Sequence, residues 1–225
     1  MNEQPLQTLA ARYLDPGSRM LEVLFGLIMT LTFTLGASLV IHEEGRTGAH
    51  AMLVATVACN MAWGVIDGIF YILGQMFERG RLRRVWLRIA RTTSDGDARS
   101  LVAIELDELL SVVTEEEQRR SLYDSIVQRM RSEPLPAGRF HKDDLLGGLA
   151  SGGLVFACSF PAVLPFVFIH DPHSALRVSN ALLLLMLFLV GYRSARETMA
   201  RPLLLGSIFL LVGLALVAMT ISLGG

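Results

Sequence analysis

Cysteine is scarce: the 225 residues hold only Cys59 and Cys158. That excludes a disulfide-stapled scaffold, and no Cys/His spacing matches a structural zinc motif. Charge of one sign is also missing, with 20 basic against 21 acidic residues and a formal net charge of −1. That balance says nothing about partners, whereas the distribution of charge along the chain does; no nucleic-acid partner is expected. No glycine-rich phosphate loop, no internal repeat, no His-Glu-x-x-His string and no nucleophile–base pattern occurs, so an enzyme is not expected. Nor does the polar N-terminus carry the short apolar core of a cleavable leader. The first apolar run is therefore expected to stay as a membrane anchor.

What is abundant is apolar sequence: 52% of the residues are hydrophobic and the mean hydropathy is +0.48. It is gathered into five runs, at about 20–41, 49–77, 145–169, 174–192 and 202–223. Each is close to the ~20 helical residues that cross a hydrocarbon core. The charge collects instead in one block, 78–144, between the second and third runs. The fold class read from this pattern is all-α: a polytopic membrane protein of five transmembrane helices with a three-helix cytoplasmic insertion between spans two and three. The segments are a cytoplasmic amphipathic stretch at 1–19, spans one and two at 20–77, the insertion at 78–144 and spans three to five at 145–225.

Orientation follows from the basic residues. Two precede span one, thirteen lie in 78–144 and three in 193–201, while only Arg46 and Arg177 fall in the remaining loops. Eighteen against two places the N-terminus, the central block and the 193–201 loop in the cytoplasm, and the C-terminus outside. This simple topology, with no processing signal, points to a bacterial inner membrane.

Along the chain, Leu6, Leu9, Ala10, Tyr13 and Leu14 have the spacing of a short helix lying on the membrane surface. Asp15-Pro16-Gly17-Ser18 breaks it and starts the first span. Span two runs on without a break signal to about Thr93, and Ser94-Asp95-Gly96-Asp97 forms a turn. A helix over 98–113 follows, with Val102, Leu106, Leu109 and Val113 as its apolar face. Thr114 and Glu117 fit a capping box opening a helix over 115–132, whose stripe is Leu122, Ile126 and Met130. In span three, Pro161 and Pro165 predict a bend, and Gly147, Gly148, Ser151, Gly152 and Gly153 predict close helix packing.

Several strings, in order, resemble the vacuolar iron transporter family of divalent-metal/proton exchangers. They are Glu22-Val23-Leu24-Phe25-Gly26-Leu27 in span one, Asn60-Met61-Ala62-Trp63-Gly64 in span two and Phe160-Pro161-Ala162-Val163-Leu164-Pro165 in span three. Gly191-Tyr192-Arg193-Ser194-Ala195-Arg196 closes span four in a similar way. The resemblance implies a homodimer in the lipid bilayer, a cytoplasmic helical domain that gathers metal through glutamates, and proton-driven export of Fe²⁺ or Mn²⁺. It implies no permanently bound cofactor, only a transported or sensed divalent metal. The chain departs from the family's pattern at two places. The Asn-Asp-Gly after the first string is Ile28, Met29 and Thr30 here, and the glutamate after Gly64 is Val65. A methionine-lined path favours softer ions such as Cu(I) over Fe²⁺ or Mn²⁺.

Asp67 is the clearest ionisable residue within a span. A carboxylate there costs about 2.5–3.5 kcal/mol, so its retention points to function. It shares a helical face with Asn60, Gly64 and Tyr71 and points ~200° away from Val65. Glu22 and Asp67 are expected at similar depth, with Met29 and Met61 further out. The expected transport path is thus Glu22, Met29, Asn60, Met61 and Asp67; the bland alternative is a carboxyl bonded to a neighbouring helix and a glutamate snorkelling at the interface. The expected metal-gathering residues are Glu105, Glu108, Glu115, Glu116 and Glu117, against the alternative of acids that complement a helix N-terminus. His42, His50, His170 and His173 fall on the outer side as candidate proton or metal ligands. The leading reading is a metal–proton antiporter. Its rivals are a non-transporting metal-sensing or interaction scaffold of the same fold, and a passive channel, for which no selectivity-filter signature is present.

Overall fold

The computed structural model describes residues 9–36, 38–135 and 140–222, with no side chain described at 38–44 or 221. In chain order the helices are α1 (Leu9–Tyr13), α2 (Pro16–Gly36), α3 (Ser38–Arg91), α4 (Asp95–Val113), α5 (Glu116–Ser132), α6 (Lys142–Ala157), α7 (Phe160–Phe168), α8 (Pro172–Thr198) and α9 (Pro202–Ser222). No strand occurs among the described residues. Five stretches are long and apolar enough to cross a membrane: Pro16–Gly36, Gly45–Arg91, Lys142–Phe168, Pro172–Thr198 and Pro202–Thr220. The chain is an all-α polytopic membrane protein. It divides into two compact units, one of Met1–Ile72 with Lys142–Gly225 and one of Leu73–His141.

In the first unit, span one starts four residues before the hydropathy does. Asp15 caps it, accepting from Ser18 N at 2.9 Å and from the Ser18 hydroxyl, and Pro16 takes the first helical position, where no N–H is needed. The helix is apolar along Leu24, Leu27, Leu31 and Leu35, which pack with Leu183 and Leu187 of α8 and with Cys158 and Ala162. Its other flank is polar and small. Thr30 and Thr34 are buried there, and their hydroxyls donate to Gly26 O and Leu31 O of their own helix.

Gly45, at φ 58°, interrupts α3 near its start. A left-handed backbone of that kind favours glycine. Span three does not bend as one helix but breaks at Cys158-Ser159 into α6 and α7. Pro161 lies in the first turn of α7, where proline is tolerated, and Pro165 lies inside it. Ser179 of α8 donates to Ala162 O at 2.9 Å and so ties α7 to α8.

Spans two and three meet backbone to backbone. A Cβ built on Gly64 would lie 2.5 Å from Gly152 O, and one on Gly68 would lie 2.8 Å from Gly148 O. Two small residues four apart on each helix allow this approach. In a bilayer it is van der Waals contact, not exclusion of water, that holds such helices together.

The second unit comprises α3 from Leu73, α4 and α5. Its core is Ile89, Ala98, Val102, Tyr123 and Val127. Ser94 caps α4 by accepting from Asp97 N at 3.3 Å. Two sequence expectations are corrected here. The capping box of α5 is formed by Glu115 and Gln118, one residue beyond the Thr114–Glu117 pair. Thr114 instead closes α4, its hydroxyl donating to Leu110 O at 2.6 Å. The core stripe of α5 also shifts by one residue, to Tyr123 and Val127, with Ile126 and Met130 only partly buried. Of the expected stripe of α4 only Val102 is buried: Leu106, Leu109 and Val113 are exposed, as is Leu122 of α5.

Candidate functional site

The densest polar chemistry in the first unit lies where α2, α3 and α6 pass one another. Glu22 projects from the second turn of α2 and accepts a hydrogen bond from Ser151 Oγ at 2.6 Å. Ser151 stands between Gly148 and Gly152, the two glycines of α6 that touch α3. Asp67 stands between Gly64 and Gly68, their partners on α3. The same close approach that joins the helices therefore fixes both polar side chains. Asp67 and Glu22 are near enough to act on each other electrostatically. Asp67 Oδ2 is buried with no hydrogen-bond partner among the described residues. Two like carboxylates so placed, one with an orphaned oxygen, call for a shared proton or a cation.

A second, uncharged junction lies about 10 Å further along α3, seven residues from Asp67. Asn60 is 1% exposed. Its amide donates to Thr30 Oγ1 at 2.6 Å and approaches Gly26 O and Val155 O at 3.5 and 3.4 Å. Its Oδ1 has no partner among the described residues. Met29 is partly buried on α2. Met61 is 58% exposed, as is Val65, so these two face outward and away from Asn60. The structure thus sets Glu22 and Asp67 within electrostatic reach of each other, places Asn60 on an adjoining stretch and leaves Met61 on the chain's surface.

The five glutamates expected to gather metal do not converge on one site among the described residues. Glu105 is paired with Arg81 at 2.6 Å, and Glu116 with Arg120 at 2.6 Å. Glu115 is spent on the capping box, and Glu108 and Glu117 are exposed. No group of three or more His, Cys, Asp or Glu side chains is arranged for a metal ion among the described residues. At the other loops, His50 and His170 line a cleft of about 140 Å³ together with Arg46. His173 lies in the first turn of α8, and the His42 side chain is outside the described residues. Asp171 caps α8, and the Ser174 bonds hold its carboxyl below the ordinary value of 3.8.

Two residues escaped the sequence reading as parts of these junctions, and a third as a buried acid nearby in sequence. Ser151 was visible only as one small residue among glycines, yet it is the donor to Glu22. Thr30 stood only as a departure from a pattern, yet it holds Asn60. Asp144, in the first turn of α6, is 5% exposed. A buried acid at a helix start is a signal in itself, masked in the sequence by the neighbouring Lys142 and Asp143.

A family model described as the VIT family matches residues 88–225. The chain belongs to this family. The VIT family is one of membrane metal-ion transporters rather than enzymes, and the five apolar helices fit that class. The VIT match spans the second unit from the end of α3 and spans three to five. Spans one and two, with Glu22, Asn60 and Asp67, lie before it. A search among curated proteins gave no match.

Proposed function

We propose that this VIT-family chain exports divalent metal ions of the Fe²⁺/Mn²⁺ class from the cytoplasm in exchange for protons, as a homodimer in a bacterial inner membrane. The observation that carries the reading is the Glu22–Asp67 pair: two carboxylates within electrostatic reach of each other where three spans meet, one holding a buried oxygen with no donor among the described residues. Such a pair binds a divalent cation when both groups are ionised and releases it when protons return. Ser151 orients Glu22 through its hydroxyl proton. Family membership supports the metal as cargo, and the bias of basic residues supports residues 78–144 as the cytoplasmic side. Glutamates of the second unit, Glu108 and Glu117 among them, would collect the ion there, with the second subunit completing what one chain leaves dispersed.

A non-transporting metal-sensing or interaction scaffold is the second reading. Met29 and Val65 favour it, since they stand where the family's pattern has acids. The retained pair at Glu22 and Asp67 favours transport. Purified protein in liposomes, with Fe²⁺, Mn²⁺, Co²⁺ and Cu⁺ offered in turn under an imposed pH gradient, separates the two. Gradient-driven flux of Fe²⁺ or Mn²⁺ supports the exporter. Folded protein that moves none of the four ions would sink it.

A further inference from the structure

The second unit contains a cavity of about 530 Å³ between the end of α3, α4 and α5. Its floor is apolar: Val85, Trp86 and Ile89 from the end of α3, Val102 from α4, and Ile126 and Met130 from α5. Its mouth carries Arg79, Arg81, Arg83 and Glu105. The size is that of a small-molecule site, and it lies within one three-helix bundle.

The cavity exists because the two core stripes do not fill it. Tyr123 and Val127, not Ile126 and Met130, are the residues buried on α5, so the latter pair is left as wall. Trp86 is held in place by the bond from its Nε1 to Met130 O at 2.9 Å, which fixes the indole as a rigid side of the pocket. The mouth has three arginines against one glutamate. Arg81 is spent on Glu78 and Glu105, at 2.8 and 2.6 Å. Arg83 makes no ion pair among the described residues and is exposed at the rim.

An apolar hollow with a guanidinium at its mouth fits one class of ligand: a single hydrocarbon chain ending in an anion. We propose that the second unit binds a long-chain fatty carboxylate, its tail along Trp86, Ile89 and Ile126 and its headgroup at Arg83. A planar guanidinium matches a carboxylate through two parallel N–H···O bonds, which a lysine could not supply. Arg79 adds positive charge beside it, and a neutral or cationic amphiphile gains nothing from such a rim. Binding here is independent of the carboxylate pair between the spans, and it would make the unit responsive to free fatty acid.

The chain offers its own reporter, because its two tryptophans are Trp63 and Trp86. Full-length Trp63→Phe protein in phosphatidylcholine liposomes leaves Trp86 as the sole indole. Titration with a bromine-labelled fatty acid should quench Trp86 in a saturable way. An excess of unlabelled fatty acid should reverse the quenching. The methyl ester of the same brominated acid should quench at least tenfold less at equal concentration. Adding Arg83→Gln should weaken the acid about tenfold and leave the ester unchanged, while Arg119→Gln, at a residue away from the cavity, should change neither. Equal quenching by acid and ester, linear quenching without saturation, or an Arg83→Gln response like the parent's would overturn the proposal. So would a Trp86 signal that follows protein concentration and not fatty acid, which would make a second copy of the chain the occupant.

Discussion

At the residue scale, Asp67 is held where a membrane protein has little reason to hold it. A carboxylate at such a depth costs about 2.5–3.5 kcal/mol, and Oδ2 receives no hydrogen bond from the described residues to offset this. Replacement by leucine should therefore leave stability unchanged or raise it by about 1–3 kcal/mol, as when other buried charges are exchanged for apolar groups. Thermal unfolding in detergent reads this directly; a large loss of stability in Asp67→Leu would mean a structural role. Ser151→Ala should act oppositely, costing about 1–2 kcal/mol through the lost bond to a charged acceptor. Asp15 belongs to this scale too. Its carboxyl lies below the ordinary 3.8 because it accepts from the Ser18 hydroxyl and backbone. A depressed folded-state value means its contribution is present above 3.8 and is lost as pH falls through the folded value. Asp15→Ala should cost about 1 kcal/mol at neutral pH. The difference from the parent should close in acid, as a pH series of melting curves would show.

At the element scale, the Gly64–Gly152 and Gly68–Gly148 contacts set how closely α3 and α6 run. Gly152→Ala places a methyl against the Gly64 carbonyl, and we expect a loss of about 1–3 kcal/mol from overpacking. Gly153→Ala is the control: nothing lies within 4 Å of its Cβ, so stability should hold. Melting temperatures of the two variants side by side make the comparison. The elements themselves were legible wherever one physical signal dominated. Hydropathy marks the five spans, because each must bury its length in lipid. Asp15-Pro16 marks the start of α2, but only once capping is weighed against hydropathy. The break at Cys158-Ser159 was not legible, because two prolines one turn apart fit a bent helix as well as a broken one. The displaced stripe of α5 has a similar cause: Leu122 and Tyr123 are both apolar enough for a core, and the crossing of α4 decides between them. Likewise the Glu22–Ser151 bond joins residues 129 positions apart, and no periodicity carries such a pairing.

At the scale of the whole molecule, the carboxylates sort into two kinds. Those of the second unit are exposed, ion-paired or used as caps, and one chain does not gather them. Those between the spans form one pair. Met61 and Val65 lie on the outer surface of the single subunit, which is where a second subunit would find them. We expect a dimer in native mass spectrometry from mild detergent, and Val65→Arg should split it by placing a charge in an apolar contact. A Val65→Arg protein as dimeric as its parent would place the interface elsewhere. The central claim is that Glu22 and Asp67 couple metal to protons. The most direct measurement is simultaneous recording of metal entry and luminal pH in the same liposomes, for the parent and for Asp67→Asn. In the parent, metal movement should be matched by protons moving the other way, and both should be lost in Asp67→Asn. Metal flux that persists in the variant with its proton movement intact would contradict the claim.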